Sequence, residues 1–468
     1  MALNRRKTTV AQVGTLNIGG HNPIRIQSMT TTDTNDTAAC VAQACRIIDA
    51  GGELVRFTTQ GTREALNMAN ISQQLKARGY TQPLVADVHF NANVADVAAR
   101  VCEKVRINPG NYIDPARTFK HVDYTNQEYA AELARLDARL TAFISICKEH
   151  HTAVRIGVNH GSLSDRIMSR YGDTPQGIVE SCMEFLRIFK REAFPHVVIS
   201  IKASNTVVMV QSVRLLVQQM DREDMHYPLH LGVTEAGEGE DGRIKSAVGI
   251  GALLTEGIGD TIRVSLSEEP EAEIPVARKL VELTSTCARL REEAERSISN
   301  GAITLTIPAP ESATTAPPDW ETCQLMAAMA TGALLIDRKA TNLVLHSTCF
   351  TDEQLTPLAD AILQAARIKF TKTEYISCPG CGRTRYNLPQ TIHRIKEATT
   401  HLVGLKIGIM GCIVNGPGEM ADADYGYVGA GRGRISLYRG KECVEKNIPE
   451  EDAVSRLLDL IEHDRHQS

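Results

Sequence analysis

The sequence predicts an α/β protein: a (β/α)8 TIM barrel, then a short linker or insertion, then a smaller C-terminal α+β unit. Eight short β-branched runs recur within the first 290 residues, at a mean spacing of about 34 residues. Stretches with helical periodicity lie between these runs. A Pro-rich stretch then separates this repeating region from a Gly-rich, Cys-containing one. Strand–helix alternation repeated eight times is what a closed parallel barrel requires.

The predicted strands are Ile24–Met29, Glu53–Phe57, Leu84–Val88, Lys104–Ile107, Ala153–Val158, Val197–Lys202, Leu229–Val233 and Thr261–Leu266. The predicted helices between them include Thr37–Ala50, Thr62–Arg78, Asn93–Glu103, Gln127–His150 and Thr174–Lys190. A doubly wound open sheet also alternates in this way, but it usually stops at five to seven strands. The count of eight therefore favours the barrel.

Three units follow from this pattern: a barrel over 1–290, a linker and reduced insertion over 291–367, and a C-terminal unit over 368–468. Ser297–Asp319 is rich in Ser, Thr, Ala and Pro and is typical of a linker. After it we predict strands at Gly332–Asp337 and Asn342–His346 and a helix at Asp352–Arg367, too small a group to build its own core. In the third unit we predict strands at Lys406–Met410 and Arg434–Leu437 and a helix at Asp452–His463.

Composition excludes several classes of protein. The chain has 468 residues, of which 23% are charged, so wholesale disorder is excluded. With 51 Lys and Arg against 56 Asp and Glu, the net charge of −5 argues against a dedicated nucleic-acid binder. The sequence contains no run of 18 or more apolar residues, so it predicts no membrane-spanning helix. The basic N-terminal residues are not followed by an apolar stretch, so they do not predict a secretory signal. We expect a cytoplasmic protein.

The strongest motif is a group of cysteines in the C-terminal unit. Eight of the twelve cysteines are scattered and are interpreted mostly as small buried hydrophobic residues. Cys378 and Cys381 form a Cys-x2-Cys turn, and Cys412 and Glu419 follow in a Gly-rich segment. Three thiolates with one exchangeable carboxylate suit a [4Fe–4S] cluster whose fourth iron can be approached by a substrate oxygen.

Other interpretations of the cysteines stay open. A Cys-x2-Cys pair by itself is most often a structural zinc site, although zinc ribbons normally present a second such pair or two histidines. Thioredoxin-like chemistry needs a strand–Cys-x2-Cys–helix arrangement, which is not predicted around Cys378. Cys443 lies on a predicted surface turn and is interpreted as a non-ligand.

Five cations lie within or at the end of the predicted barrel strands, and TIM-barrel active sites lie at the C-terminal ends of such strands. They are Arg56, Arg106, Arg155, Lys202 and Arg263, and Asp87, Asn159, Glu235 and Ser265 occupy the same rim. A single strand-end Arg is more often part of a salt bridge, and Lys202 alone would also fit a Schiff-base aldolase or dehydratase. Together, five buried cations in an acidic protein predict a polyanionic ligand such as a diphosphate.

Several segments resemble those of 4-hydroxy-3-methylbut-2-enyl diphosphate synthases, iron–sulfur enzymes of the methylerythritol phosphate route to isoprenoids. The matching segments are Ile26–Thr30, Arg106–Asn111, Arg155–Ser162, Leu229–Gly237, Ser377–Thr384 and Gly411–Glu419. The resemblance covers the first 290 residues and the last hundred. It implies a TIM barrel joined to a cluster domain, with the active site closed between them.

The resemblance also implies a reaction and a set of site residues. The reaction is a two-electron reductive ring opening and dehydration of 2-C-methyl-D-erythritol 2,4-cyclodiphosphate, with electrons from ferredoxin or flavodoxin. Cys378, Cys381, Cys412 and Glu419 would hold the cluster. The diphosphate would be bound by the five rim cations with Asp87, Asn159 and Ser265 nearby. Glu235 would protonate the departing hydroxyl, and Asn415 would face the substrate.

The middle segment, 291–367, departs from both known layouts of the family. Compact relatives pass almost directly from barrel to cluster domain, whereas plant-like relatives carry a large barrel-like insertion. We expect a shortened insertion and a homodimer, in which closure within one chain and closure across the dimer are both open. Two rival functions remain: a pterin- or aldolase-type barrel lyase with structural zinc, and a non-catalytic electron-transfer module.

Overall fold

The computed structural model describes residues 4–114, 123–308, 319–384, 386–413, 416–420 and 422–467. The chain opens with an antiparallel hairpin, β1 (Val10–Val13) and β2 (Leu16–Gly19). Its apolar side chains pack against Leu54, Val85, Ala153 and Val198, at or near the starts of barrel strands. The hairpin therefore closes the bottom of the barrel and leaves the opposite end for a ligand.

Eight parallel strands form the barrel, as the sequence predicts. They are β3 (Arg25–Met29), β4 (Leu54–Thr59), β5 (Leu84–Val88), β6 (Lys104–Ile107), β7 (Ala153–Asn159), β8 (Val197–Lys202), β9 (His230–Leu231) and β10 (Thr261–Ile262). The sheet order is β8-β7-β6-β5-β4-β3-β10-β9, and a parallel bridge between Ile199 and Leu229 closes the ring between β8 and β9. Strands β9 and β10 are shorter than predicted because their second halves leave the ladder to form the rim of the site.

Nine helices pack around these strands within the described part of residues 1–300. They are α1 (Thr37–Asp49), α2 (Thr62–Ala77), α3 (Ala92–Ala99), α4 (Asn126–His150), α5 (Asp165–Tyr171), α6 (Pro175–Arg191), α7 (Thr206–Arg222), α8 (Gly239–Leu254) and α9 (Glu273–Arg296). Local chemistry fixes their starts: Asp36 accepts from the Ala39 amide, and Thr125 with Glu128 forms a capping box. None of the described helices is long and apolar enough to cross a bilayer.

The middle segment forms two strand–helix units: β11 (Ala302–Ile307), α10 (Trp320–Ile336), β12 (Asn342–Ser347) and α11 (Asp352–Ala365). The strand predicted at Gly332–Asp337 is wrong, since these residues continue α10 and end it. An apolar run cannot be assigned to strand or helix by periodicity when all its faces are buried. The predicted linker Ser297–Asp319 contains β11, and its residues 309–318 lie outside the described residues.

Helix α10 is packed into the barrel core rather than into a core of its own. It contacts α8 and α9, and its buried side chains belong to the same hydrophobic cluster as the barrel. Gly251 and Gly332 allow the close approach of α8 and α10, since a Cβ on Gly332 would lie 2.8 Å from the Val248 carbonyl oxygen. This confirms that the segment needs a neighbour to bury its apolar surface.

The C-terminal unit is a five-stranded sheet with helices. Its elements are β13 (Glu374–Ser377), α12 (Leu388–Thr399), β14 (Lys406–Met410), α13 (Gly416–Glu419), β15 (Tyr425–Gly431), β16 (Arg434–Arg439), β17 (Glu442–Pro449) and α14 (Glu450–Gln467). The order is β13-β14-β15-β16-β17, parallel as far as β15 and antiparallel after it. The strands predicted at 406–410 and 434–437 and the closing helix are confirmed. The division into 1–290, 291–367 and 368–468 stays a prediction.

The C-terminal unit closes over the mouth of the barrel of the same chain. Ala236, just after β9, pairs with Ser377 at the end of β13. The Ser204 hydroxyl donates to the Glu419 carbonyl oxygen at 2.8 Å, and the Gly161 amide donates to the Glu419 carboxylate at 3.3 Å. At this seam a Cβ on Gly418 would lie 1.7 Å from the Gly161 carbonyl oxygen. Only glycine therefore allows the two backbones to meet so closely.

We expect Gly418→Ala to open this seam without unfolding either unit, because the added methyl group overlaps backbone that cannot move aside. Overpacking of this kind costs about 1–3 kcal/mol. Small-angle scattering should show a larger radius of gyration, while circular dichroism stays unchanged. The control is Gly61→Ala, where the nearest atom to an added Cβ is 3.6 Å away. An unchanged radius of gyration in Gly418→Ala would contradict the seam.

Candidate active site

A cavity lies between the barrel mouth and the C-terminal unit, and we call it the mouth cavity. It encloses about 730 Å³ not filled by protein atoms, including space open to solvent. The barrel lines it with Met29, Arg56, Asp87, His89, Arg106, Arg155, Asn159, Ser200, Lys202, Thr234, Glu235, Arg263 and Ser265. The C-terminal unit lines it with Cys378, Pro379, Gly380, Cys381, Arg383, Met410, Gly411, Cys412 and Gly416.

Strand register brings the polar barrel residues together. Arg106 on β6 is the Cα partner of Asp87 on β5 and of Arg155 on β7. Asn159 on β7 is the partner of Lys202 on β8. Residues at the same level of neighbouring parallel strands point to the same side of a barrel wall. The five cations Arg56, Arg106, Arg155, Lys202 and Arg263, which we call the cationic cup, therefore converge at one end.

Two of these five cations already have carboxylate partners. Arg106 donates from Nη1 to the Asp87 carboxylate at 2.9 Å and from Nη2 to the Asn159 amide oxygen at 3.1 Å. Arg263 forms a bidentate pair with Glu273, with N–O distances of 3.0 and 2.9 Å. The positive charge of Arg106 and Arg263 is thus partly neutralised, and the hydrogen bonds fix the orientation of their guanidinium groups in the cavity.

Arg56, Arg155 and Lys202 have no carboxylate within ion-pairing distance in the described part of the chain. Arg56 donates to the Met29 sulfur, and Arg155 has no partner for Nε and Nη1 among the described residues. Burial, with Arg263 and Arg106 nearby, lowers the pKa of Arg56 to about 10. Burial and neighbouring arginines hold the pKa of both Arg155 and Lys202 well below the ordinary range. A bound polyanion would relieve this repulsion.

Asp87 lies among the arginines and is poorly suited to bind a phosphate directly. Its carboxylate accepts from Arg106 and lies 3.4 Å from Nη2 of Arg383. Burial would raise the pKa of Asp87, but Arg56 and Arg106 outweigh it and hold that pKa well below its usual range. Asp87 therefore stays ionised and orients the arginines around it.

Glu235 is buried at the junction of the two units. Its side chain carries an oxygen, Oε2, that has no hydrogen-bond partner among the described residues. Its backbone is left-handed, with φ of +49°, and the next residue, Ala236, pairs with Ser377. Burial raises the pKa of Glu235 above its ordinary value. A buried carboxyl group with a raised pKa, on a left-handed backbone position, is typical of a positioned proton donor.

Three cysteines face the cationic cup across the cavity. Cys378 follows β13, Gly380 supplies the turn with φ of +77°, and Cys412 follows β14. Backbone amides point at two of the sulfurs: Gly411 donates to Cys378 at 3.2 Å and Arg383 donates to Cys381 at 3.5 Å. Amide–sulfur hydrogen bonds of this kind suit thiolate ligands of an inorganic cluster.

Glu419 is buried beside the cavity, in contact with the barrel. Its Oε1 accepts from the Gly161 amide, and its Oε2 has no partner among the described residues. Burial and the nearby Glu235 raise the pKa of Glu419 well above its ordinary value. In the described ranges no three His, Cys, Asp or Glu side chains are close enough to hold one metal ion.

The structure brings almost all the predicted site residues together. The cationic cup, Asp87, Asn159, Glu235, Ser265 and the three cysteines line one cavity, and Glu419 lies next to it. Asn415 lies outside the described residues. Sequence reasoning missed Arg383 and did not select His89, both of which line the cavity. Arg383 belongs to the segment Cys381-Gly-Arg383-Thr. Its position beside a cysteine is a local signal, but that position does not show that the side chain reaches the barrel.

We expect Arg155→Met to stabilise the fold while weakening anion binding. Replacing an unpaired buried cation by an apolar side chain of similar length removes a desolvation cost, which should raise stability by about 1–4 kcal/mol. Affinity for inorganic pyrophosphate should fall at least tenfold. Thermal unfolding and titration calorimetry measure the two effects.

The matched control is Arg166→Met, an equally buried arginine that bonds Glu184 at 2.8 Å and Asp114 at 3.3 Å. Removing one partner of that network should destabilise the protein by about 3–5 kcal/mol. If Arg155→Met destabilises the protein as much as Arg166→Met does, Arg155 has a structural partner and its assignment to the ligand is wrong.

Comparison with known proteins agrees with this geometry. Residues 8–278 match the model of the GcpE TIM-barrel domain, and residues 374–463 match that of the GcpE protein C-terminal domain. Among solved structures, the N-acetylneuraminic acid synthetase of Leptospira borgpetersenii overlaps 61% of this chain and 91% of its own, at 12% identity and a TM-score of 0.38. That likeness is too weak to support an argument.

Three relatives carry the name 4-hydroxy-3-methylbut-2-en-1-yl diphosphate synthase (flavodoxin). The protein of Bacteroides fragilis is 50% identical over 598 aligned positions, which cover 98% of this chain and 96% of the relative. Those of Porphyromonas gingivalis and Protochlamydia amoebophila are 45% and 37% identical, over 98% of this chain and 97% and 96% of their own lengths. The chain belongs to the GcpE family.

Proposed function

We propose that the chain converts 2-C-methyl-D-erythritol 2,4-cyclodiphosphate to 4-hydroxy-3-methylbut-2-enyl diphosphate. Two electrons and two protons enter, the ring opens, and water leaves. The observation that carries this proposal is the mouth cavity itself, in which a cationic cup faces three cysteines within one chain. A diphosphate and a redox group would be held against each other there.

The cationic cup would bind the diphosphate. Arg56, Arg155 and Lys202 supply charge that lacks a protein counterion, while Arg106 and Arg263 are held in place by Asp87 and Glu273. Ser265 and Asn159 line the same wall and can donate neutral hydrogen bonds. The N-terminal hairpin closes the opposite end of the barrel, so the substrate enters between the two units.

Cys378, Cys381 and Cys412 would hold a [4Fe–4S] cluster, with Glu419 as the fourth ligand. When bound, the cluster supplies the one-electron transfers that amino-acid side chains cannot perform. Glu419 fits this role because its buried Oε2 lacks a partner among the described residues. The seam at Gly161 and Gly418 would exclude water from the reduced substrate.

The remaining assignments belong to the same proposal. The names of the relatives support flavodoxin as the electron donor. The aligned length exceeds this chain by at least 130 positions, and we propose that the residues missing here fall between the two family matches, within 279–373. Closure within one chain completes the cavity without a second copy. The homodimer and the cytoplasmic location stay predictions from the sequence.

The decisive experiment is anaerobic reconstitution with iron and sulfide, followed by turnover with reduced flavodoxin. We expect a brown protein with four irons per chain, bleached by dithionite, that consumes the cyclic diphosphate. Cys412→Ser should lose the colour, whereas the control Cys443→Ser, on β17 of the same unit, should keep it. For Glu419→Ala we expect a less stable cluster on three thiolates. A colourless protein with bound zinc would favour the lyase.

We expect Glu235→Gln to keep the cluster and pyrophosphate binding but to lower kcat by about a hundredfold or more. A proton donor works only in its protonated form, so wild-type kcat should fall as the pH rises through the raised pKa of Glu235. The variant should lose this limb of the pH profile.

The control is Glu240→Gln, an exposed position where the amide can still accept from the Trp320 indole. Its kcat and pH profile should match those of the wild type. Full turnover by Glu235→Gln, or an unchanged pH limb in it, would rule out Glu235 as the proton donor.

A further inference from the structure

Arg383 is a cation of the C-terminal unit that reaches into the barrel. It follows Cys381 by two residues, yet its side chain lines the mouth cavity with those of the cationic cup. Only 7% of the residue is exposed. The preceding Gly382 lies against the barrel, where a Cβ would be 2.7 Å from the Thr32 carbonyl oxygen. The turn that carries two of the cysteines therefore delivers Arg383 across the seam.

The hydrogen bonds of Arg383 are incomplete. Nη2 lies 3.4 Å from the Asp87 carboxylate, which is a long contact for a charged pair. Asp87 is also shared with Arg106, whose contact is shorter at 2.9 Å. Both Nε and Nη1 of Arg383 are buried and have no partner among the described residues. Two buried charged donors without acceptors are costly unless a ligand completes them.

The charges around the cavity identify what that ligand offers. With Arg383, six cations line the mouth cavity, against the two carboxylates Asp87 and Glu235 and the three cysteines. Asp87 is already held by Arg106, and the charges that act on Glu235 are those of Lys202, Lys245 and Arg263. Anionic oxygens of a bound molecule are the acceptors that this surplus of positive charge favours.

We propose that Arg383 is a sixth phosphate-binding residue, supplied by the C-terminal unit, and that an anion bound in the cationic cup thereby holds the two units closed. This inference rests on the proposed function, because it takes the cup to be a diphosphate site. Nη2 of Arg383 continues to donate to the Asp87 carboxylate, while Nε and Nη1 can donate to a phosphate oxygen. Binding and closure then become one event.

The test uses the reconstituted holoprotein and inorganic pyrophosphate under anaerobic conditions. We expect Arg383→Gln to weaken pyrophosphate binding between about tenfold and a hundredfold by titration calorimetry. In the wild type, pyrophosphate should slow hydrogen exchange of peptides covering Gly161 and Gly418, and this protection should be lost in Arg383→Gln. The matched control Arg432→Gln removes an exposed arginine of the same unit and should change affinity less than twofold.

A second variant keeps the test decisive if Arg383→Gln does not assemble a cluster. Arg383→Lys retains the charge beside the cysteines but offers one nitrogen in place of the planar guanidinium fork, so we expect binding about three- to tenfold weaker. Wild-type affinity in both variants would overturn the proposal. So would a shift in the cluster reduction potential of Arg383→Gln with unchanged pyrophosphate affinity, since Arg383 would then act on the thiolates alone.

Failure of this inference can be told apart from failure of the proposed function. If wild-type holoprotein does not bind pyrophosphate, the cationic cup itself is wrongly assigned. If the wild type binds and Arg155→Met does not, while Arg383→Gln binds like the wild type, the cup stands and only the role of Arg383 is refuted.

Discussion

Repulsion among buried cations is the constraint on which the site depends. Six of them share one cavity, and the protein offsets the cost only in part, through Asp87 on Arg106 and Arg383 and through Glu273 on Arg263. Buried charges of one sign persist only where binding gains exceed the loss of stability. A ligand that supplies negative charge would therefore be favoured in this cavity.

Closure of the C-terminal unit over the barrel brings the cationic cup next to the three cysteines. The barrel by itself would be a phosphate-binding cup, and the C-terminal unit by itself would be a cysteine-bearing sheet. The Ala236–Ser377 pairing and the glycine contact at Gly161 and Gly418 bring the two within one cavity. The same pairing fixes Glu235 in a left-handed conformation beside the cysteines. Glu235, the cationic cup and the three cysteines are thus brought together by one seam between the two units.

Much of the fold and site was predictable because β-branched runs and helical stretches alternate regularly along the first 290 residues. Strands Leu84–Val88, Lys104–Ile107 and Val197–Lys202 have the predicted bounds. The helical end of α10 was not predictable, since Gly332–Ile336 is apolar on every face and only its packing against α8 and α9 shows that it is helical and buried. Arg383 was missed for a related reason: no local pattern shows that a side chain of the cysteine turn crosses to the barrel.

The sequence by itself determined the eight-fold alternation, the strand-end cations and the cysteine motif, because each depends on residue type and local spacing. Only the tertiary structure decided which cations are neutralised, that the C-terminal unit covers the barrel of its own chain, and that α10 joins the barrel core. These outcomes depend on contacts between residues hundreds of positions apart, such as Asp87 with Arg383. Spacing along the chain carries no information about such contacts.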